Sequence, residues 1–217
     1  MKKQVNEMTR EEQEKLLEQI IQDLKKTLSE KRYLHSVSTM KKAKELANLF
    51  NEEEMIAMLT ALAHDIAKEM TNEEYIEYAQ NNNIELDEFD LIQDTMLHGK
   101  IGANITARKY GFTQEMQDAI CYHTTGRANM TNLDKIIFLA DKAEDRRKGE
   151  EFEALRKVIS KEGLDKAFLW NTDNHAIPWL ILKKKLIHPN CIYARNDILN
   201  KLNNKYSNGL WVKPVKT

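Results

Sequence analysis

The chain has 217 residues, of which 31% are charged and 41% hydrophobic, with a formal net charge of −1. That balance gives no global electrostatic case for nucleic acid or an anionic membrane surface, and no run of apolar residues is long enough to span a bilayer. Two cysteines, Cys121 and Cys191, make a disulfide framework unexpected, and the first residues lack the apolar core of a signal peptide, which together point to the cytoplasm.

Seven glycines and three prolines among long periodic segments predict a nearly all-helical protein. Thr9 and Glu12 have the spacing of a capping box and open a helix with Leu16, Leu17, Ile20, Ile21 and Leu24 on one face. A turn near Ser29 leads to a second helix, with His35 at its start and Val37, Met40, Ala43, Leu46 and Phe50 in helical period. A third helix is expected from about Glu53 to Lys68. Its alanines, Ala57, Ala61, Ala63 and Ala67, let neighbours approach closely.

That third segment is the one that asks for an explanation. Ala61-Leu62-Ala63-His64-Asp65-Ile66-Ala67-Lys68 places three polar side chains in a greasy stretch. A buried charge is costly unless it is paired or holds a metal. Neighbouring helix residues diverge by about 100°, so His64 and Asp65 can flank one ion. Lys68, three residues after Asp65, returns to nearly the same face.

Thr71 and Glu74 form a second capping box, Asn81 to Asn83 mark a loop, and the acidic run Glu85 to Asp90 reads as a solvated surface. His98 then precedes a helix whose first turn carries Gly99 and Gly102, where an anion could approach free N–H groups. That helix stops at Gly111. Thr113 caps the next, which reaches His123 beside the polar turn Thr124-Thr125-Gly126. Thr131 starts an apolar helix into which Asp141 is set. Further helices are expected at about 150–160 and 164–185, and a last one is marked by Ile192, Ala194, Ile198 and Leu202, with Trp170 and Trp179 in the core and a polar tail from Ser207.

His35, His64, His98 and His123, with Asp65 and Asp141, come from five separate segments and suggest two metals sharing a carboxylate. Imidazole with carboxylate suits iron, manganese, zinc or cobalt. His175 and His188 are read as hydrogen-bonded structural residues, and Cys121 as packing. Lys142, Arg146 and Arg147 are read equally as phosphate ligands or as solvated charges. Walker-type and dinucleotide-binding glycine loops are absent.

The ordered series His35, His64-Asp65, His98, His123, Asp141 resembles the HD-domain superfamily of metal-dependent phosphohydrolases. Lys31-Arg32-Tyr33-Leu34-His35, Ala63 to Glu69, Leu97 to Ala103, His123 to Gly126, Leu133 to Asp141 and Ile187-His188-Pro189 resemble, more narrowly, the bacterial YqeK family. The likeness runs over about residues 28–202. It implies an all-α HD-type helical bundle with additional N- and C-terminal helices, divided as an N-terminal helix (1–27), a phosphohydrolase domain (28–206) and a tail (207–217). It also implies symmetric hydrolysis of diadenosine tetraphosphate to two ADP by a metal-bound hydroxide. Two metal ions per chain are implied, with iron the first expectation and manganese, cobalt or zinc accepting the same ligands. His35, His64, Asp65 and Asp141 would hold one, and Asp65 would bridge to a second held by His98 and His123. Asp65 and Lys68 would be the catalytic residues, and Lys68, Gly99, Thr124, Thr125, Gly126 and Arg147 would meet the substrate. The family's Glu-Pro-x-Arg after the last aspartate is Glu144-Asp145-Arg146-Arg147 here, with Asp145 in place of proline. Alternative readings are another HD-type nucleotidase or cyclic-dinucleotide phosphodiesterase, and a non-catalytic metal-stabilised scaffold. A nucleotide is the expected partner, with neither nucleic acid nor membrane. A homodimer is left open.

Overall fold

The computed structural model describes residues 3–92 and 96–203. The expected tail, with Leu210, Trp211 and Val212, lies outside the described residues. Those that are described form helices and turns, with no strand among them. In order they are α1 (Arg10–Thr27), α2 (Glu30–Leu49), α3 (Glu54–Ala63), α4 (Asn72–Asn81), α5 (Glu88–Ile92), α6 (Leu97–Tyr110), α7 (Gln114–Cys121), α8 (Asn132–Ala143), α9 (Glu150–Glu162), α10 (Leu164–Asn171), α11 (Ile177–Leu182) and α12 (Pro189–Leu202).

The starts follow the sequence signals. Thr9, Thr71 and Thr131 each accept from the backbone N–H three residues on, and the acid at that position returns the bond, as a capping box requires. The centre is α2, α3, α7 and α8 packed together, with Leu59, Leu62, Ile120, Ile136 and Leu139 fully buried. Helix α1 lays Leu16, Ile20 and Leu24 onto the same core. Tyr110 Oη donates to Asp23 at 2.9 Å and Val5 N to the Gly111 carbonyl at 3.0 Å, tying the N-terminal segment to the end of α6. On the other side α10 closes over α8 with Phe168 against Phe138, ring centroids 4.6 Å apart. No helix among the described residues is long and apolar enough to cross a membrane.

Five expectations are corrected. The third helix ends at Ala63 rather than Lys68. His64 to Glu69 continue as tight turns with Ile66 N bonded to Ala63 O and Lys68 N to Asp65 O. The expected helix over 164–185 is interrupted at Thr172–Ala176 by a wider, π-type turn. Pro178 follows two residues later and has no N–H to give the ladder. Trp179 is therefore not core. It sits on α11 with about 44% of its surface exposed. Finally, the acidic run is not wholly solvated: Asp90 is buried and paired with Lys100 of α6. His98 also lies inside α6 rather than before it.

Gly126 fixes the turn between α7 and α8. Its φ is +70°, and a Cβ there would sit 2.8 Å from Phe168 Cζ and 2.9 Å from Ala194 Cβ. Backbone strain and overlap with two packed helices act together. Gly126→Ala is expected to cost about 1–3 kcal/mol, read as a lower urea midpoint at unchanged slope. A wild-type midpoint would mean that α10 and α12 give way freely.

Candidate metal centre

The N-terminal parts of α2 and α6, the residues just past the ends of α3 and α7, and the last turn of α8 converge on one point. Four imidazoles form a row in which each ring meets the next edge-on: His35 to His64 at 5.3 Å between centroids, His64 to His123 at 5.0 Å, and His123 to His98 at 4.9 Å. Two carboxylates lie along it. Asp65 Oδ1 is 3.3 Å from His98 Nε2 and 3.7 Å from His123 Nε2, while Asp65 Oδ2 is 3.6 Å from His64 Nε2 and 3.9 Å from His35 Nε2. Asp141 Oδ1 is 3.0 Å from His35 Nε2 and 3.9 Å from His64 Nε2. Two groups of ligand atoms draw within 4.8 Å of one another: His35, His64 and Asp141, and His64, Asp65 and His123.

Local hydrogen bonds select which nitrogen faces the centre. A carbonyl can only accept, so His64 Nδ1–H donates to Ala61 O at 2.7 Å and His123 Nδ1–H to Ile120 O at 2.6 Å. Both bonds reach back three residues at a helix end. They turn Nε2 inward. His35 is oriented differently: Nδ1 donates to Glu144 Oε1 at 3.3 Å, an outer carboxylate that fixes the ring.

Burial drives the protonation of these groups apart. It lowers the pKa of His64 to about 4, with His123 and His35 adding to the effect and Asp65 opposing it, so the ring is neutral near pH 7. Its Nε2 is buried and has no hydrogen-bond partner. His123 is likewise lowered by burial, against the pull of Asp65. For Asp65, burial pushes upward but is outweighed by His64, His123 and His98, which hold the carboxyl well below its ordinary range. Asp141 behaves in the same way through Lys142, His35 and His64. His35 is the exception among the rings. Burial works to lower it, but the hydrogen bond to Asp141 and the charges of Asp141 and Asp65 prevail and raise it.

Cations surround the cluster. Lys68 Nζ is 3.0 Å from His98 Nε2, and its pKa is lowered by burial. Lys142 Nζ pairs with Asp141 Oδ2 at 3.2 Å, donates to His123 O at 3.0 Å and stands 3.8 Å above the Phe138 ring. Arg147 holds Asp141 twice, Nε to its carbonyl at 2.7 Å and Nη2 to Oδ1 at 3.1 Å. Of the three cations that the sequence left undecided, Lys142 and Arg147 are thus held on Asp141, and only Arg146 is fully at the surface.

The remaining candidates divide. Thr124 and Thr125 line a narrow cleft beside Tyr122 and His188, and Thr124 also borders a larger apolar cavity. Gly99 is buried, and a Cβ there would meet the Cys121 carbonyl at 2.6 Å, so its smallness admits the end of α7 rather than an anion. His175 and His188 stay outside the cluster. His188 caps α12, with Nδ1 accepting from Asn190 N at 3.1 Å. Cys121 packs against the core, its thiol pushed up to about 12 by burial. Two residues were missed. Arg32, whose Nη1 is 3.5 Å from Asp65 Oδ2, and Glu144 lie three residues, one turn along the chain, from His35 and Asp141 respectively. That spacing was the available signal.

The HD-domain family profile matches residues 32–145, slightly more than half of the chain and the whole of this centre. The chain is 34% identical over 182 residues to the symmetrical bis(5'-nucleosyl)-tetraphosphatase of Halalkalibacterium halodurans, covering 82% of this chain and 95% of that one. It is 31% identical over 184 residues to the protein of the same name in Bacillus subtilis, covering 84% and 97%. The crystal structure of a predicted HD superfamily hydrolase involved in NAD metabolism from Clostridium acetobutylicum superposes with a TM-score of 0.80 at 37% identity, covering 85% of this chain and 97% of that one. With the buried histidine row, the paired aspartates and this fold in common, the chain belongs to the HD-domain family, in the branch of the symmetrical bis(5'-nucleosyl)-tetraphosphatases.

Proposed function

We propose that this chain is a metal-dependent hydrolase that splits diadenosine tetraphosphate symmetrically: one water enters, the bridge between the second and third phosphates breaks, and two ADP leave. The observation that carries the reading is Asp65, a buried carboxylate set among four imidazoles in a chain whose relatives bear that activity in their names.

The residues present fit a metal pair. His64 Nε2 is a buried ring nitrogen with no partner, kept unprotonated by burial, and therefore a ready ligand. The nitrogen and oxygen donors suit iron, manganese, cobalt or zinc, with iron first in our reading. His35, His64, Asp65 and Asp141 would hold one ion and Asp65, His98 and His123 the other. Such ions supply Lewis acidity and lower the pKa of water. The protein supplies the rest. The Nδ1–carbonyl bonds of His64 and His123 and the His35–Glu144 bond hold the donors in place. Lys68, Arg32 and Arg147 ring the centre, where they orient the polyphosphate and offset the charge that gathers on the departing diphosphate.

Two tests follow from this assignment. Asp65→Ala is expected to leave the helical circular dichroism unchanged while bound metal and hydrolysis are lost together. Glu144→Gln, which changes the outer partner of His35 and leaves every proposed metal donor in place, should weaken metal binding by roughly 10–100-fold. An Asp65 variant that retained both metals would remove the bridging role. With the metal-loaded enzyme, diadenosine tetraphosphate should give ADP as sole product on chromatography. ATP with AMP would mean that the attacked phosphorus is the wrong one.

A further inference from the structure

Helix α9 reaches the metal centre without contributing a donor to it. Its Arg156 is half-buried and sends its guanidinium to three main-chain carbonyls of the turn that follows α8: Nε to Ala143 O at 2.8 Å, and Nη2 to Glu144 O at 2.8 Å and to Arg147 O at 2.7 Å. Ala143 is the last residue of α8, where carbonyls lack a helical partner and the helix end carries partial negative charge. A guanidinium meets both needs, and its planar fork of donors fixes several acceptors relative to one another. All three acceptors belong to the main chain, so what the side chain holds is the shape of the turn.

That shape bears on one end of the histidine row. The chain leaves α8 at Glu144 in an extended conformation, φ −61° and ψ 153°, and Arg147 N returns to Glu144 O at 3.1 Å. Inside this turn the buried Glu144 carboxylate accepts from His35 Nδ1 at 3.3 Å, and Arg147 holds Asp141 at its carbonyl and at Oδ1. A second contact from α9 reaches the same residue, with Arg147 Cζ 5.8 Å from the centre of the Phe152 ring. The other end of the row is held differently. His123 Nδ1 donates to Ile120 O in its own segment, and its carbonyl accepts from Lys142 of α8. Neither bond involves α9 or the turn.

Building on the metal-pair reading, we propose that Arg156 is a positioning residue for one ion of the two. By fixing the turn it sets Glu144 and Arg147, and through them the aim of His35 and Asp141. The ion assigned to His35, His64, Asp65 and Asp141 therefore depends on α9, and the ion assigned to Asp65, His98 and His123 does not.

The test uses the full chain, freed of metal and titrated calorimetrically with manganese. The wild type should take up two ions. Arg156→Ala should weaken one site by about tenfold or more and leave the other unchanged. Glu144→Gln is expected to act on the same site, so the double variant should lose far less than the product of the two single losses. Val158→Ala separates positioning from support of the helix. Val158 packs on the core from α9, so its loss should lower the urea midpoint and leave both sites as in the wild type. Should Arg156→Ala fail to fold, as its helical circular dichroism would show, Arg156→Gln carries the same expectation, with one amide in place of the fork. Wild-type affinity at both sites in a folded Arg156 variant refutes the proposal. So do equal losses at both sites, losses that multiply with Glu144→Gln, and a Val158→Ala chain that loses as much metal affinity as Arg156→Ala. If the wild type takes up no second ion, the metal-pair reading itself fails and the proposal falls with it.

Discussion

The structure depends on keeping two carboxylates ionised inside a helical core. Asp65 and Asp141 are out of reach of bulk water's full solvation, and burial alone would drive both towards the neutral form. What prevents this is the company they keep: four imidazoles, three of them fully or almost fully buried, with Lys142, Arg147 and Arg32 behind. Replacing any one charge leaves others uncompensated in a medium that screens them poorly. The helices around the row are accordingly set by the site as much as by their own packing. The third helix stops at Ala63, and the next turns place His64, Asp65 and Lys68 in succession along the cluster.

Much of this was legible in the sequence because it depends on local rules. Capping boxes at Thr9, Thr71 and Thr131 fixed three helix starts, and the apolar period of α8 made Asp141 conspicuous. The histidines and aspartates of the cluster stood out for the same reason: a polar residue at a position whose neighbours are all apolar has to be doing something. What was not legible depends on contacts between segments. Whether Lys142 faces solvent or Asp141 is decided by where α7 ends, since its ammonium is held by the His123 carbonyl. Asp90 is buried because Lys100 on α6 meets it, and no pattern within the acidic run announces that partner. Trp179 reads as core by composition, yet the wide turn ahead of Pro178 leaves α11 as a short helix at the surface. Gly99 shows the opposite failure. A glycine in the first turn of a helix does suit an anion, but here the carbonyl end of α7 takes the space first.

The loop that follows Asp141 joins these two kinds of information. In the resembling family a proline stiffens it, and here Asp145 stands in that place. The stiffness comes instead from Arg156 of α9. Its guanidinium donates to the carbonyls of Ala143 and Glu144 at 2.8 Å each and of Arg147 at 2.7 Å, gathering the whole turn with one side chain. Glu144 Oε2 accepts from Arg146 N at 2.6 Å and Oε1 from His35, while Asp145 pairs with Lys42 of α2 at 3.1 Å. A proline would set one φ angle; Arg156 sets the position of three carbonyls at once. Glu144 and Arg147 lie inside that held segment, and they are the groups that orient His35 and Asp141. The C-terminal helices are therefore not an appendage to the centre. Through α9 they fix Glu144 and Arg147, which orient His35 and Asp141, and through α11 and α12 they line the larger cavity beside Thr124.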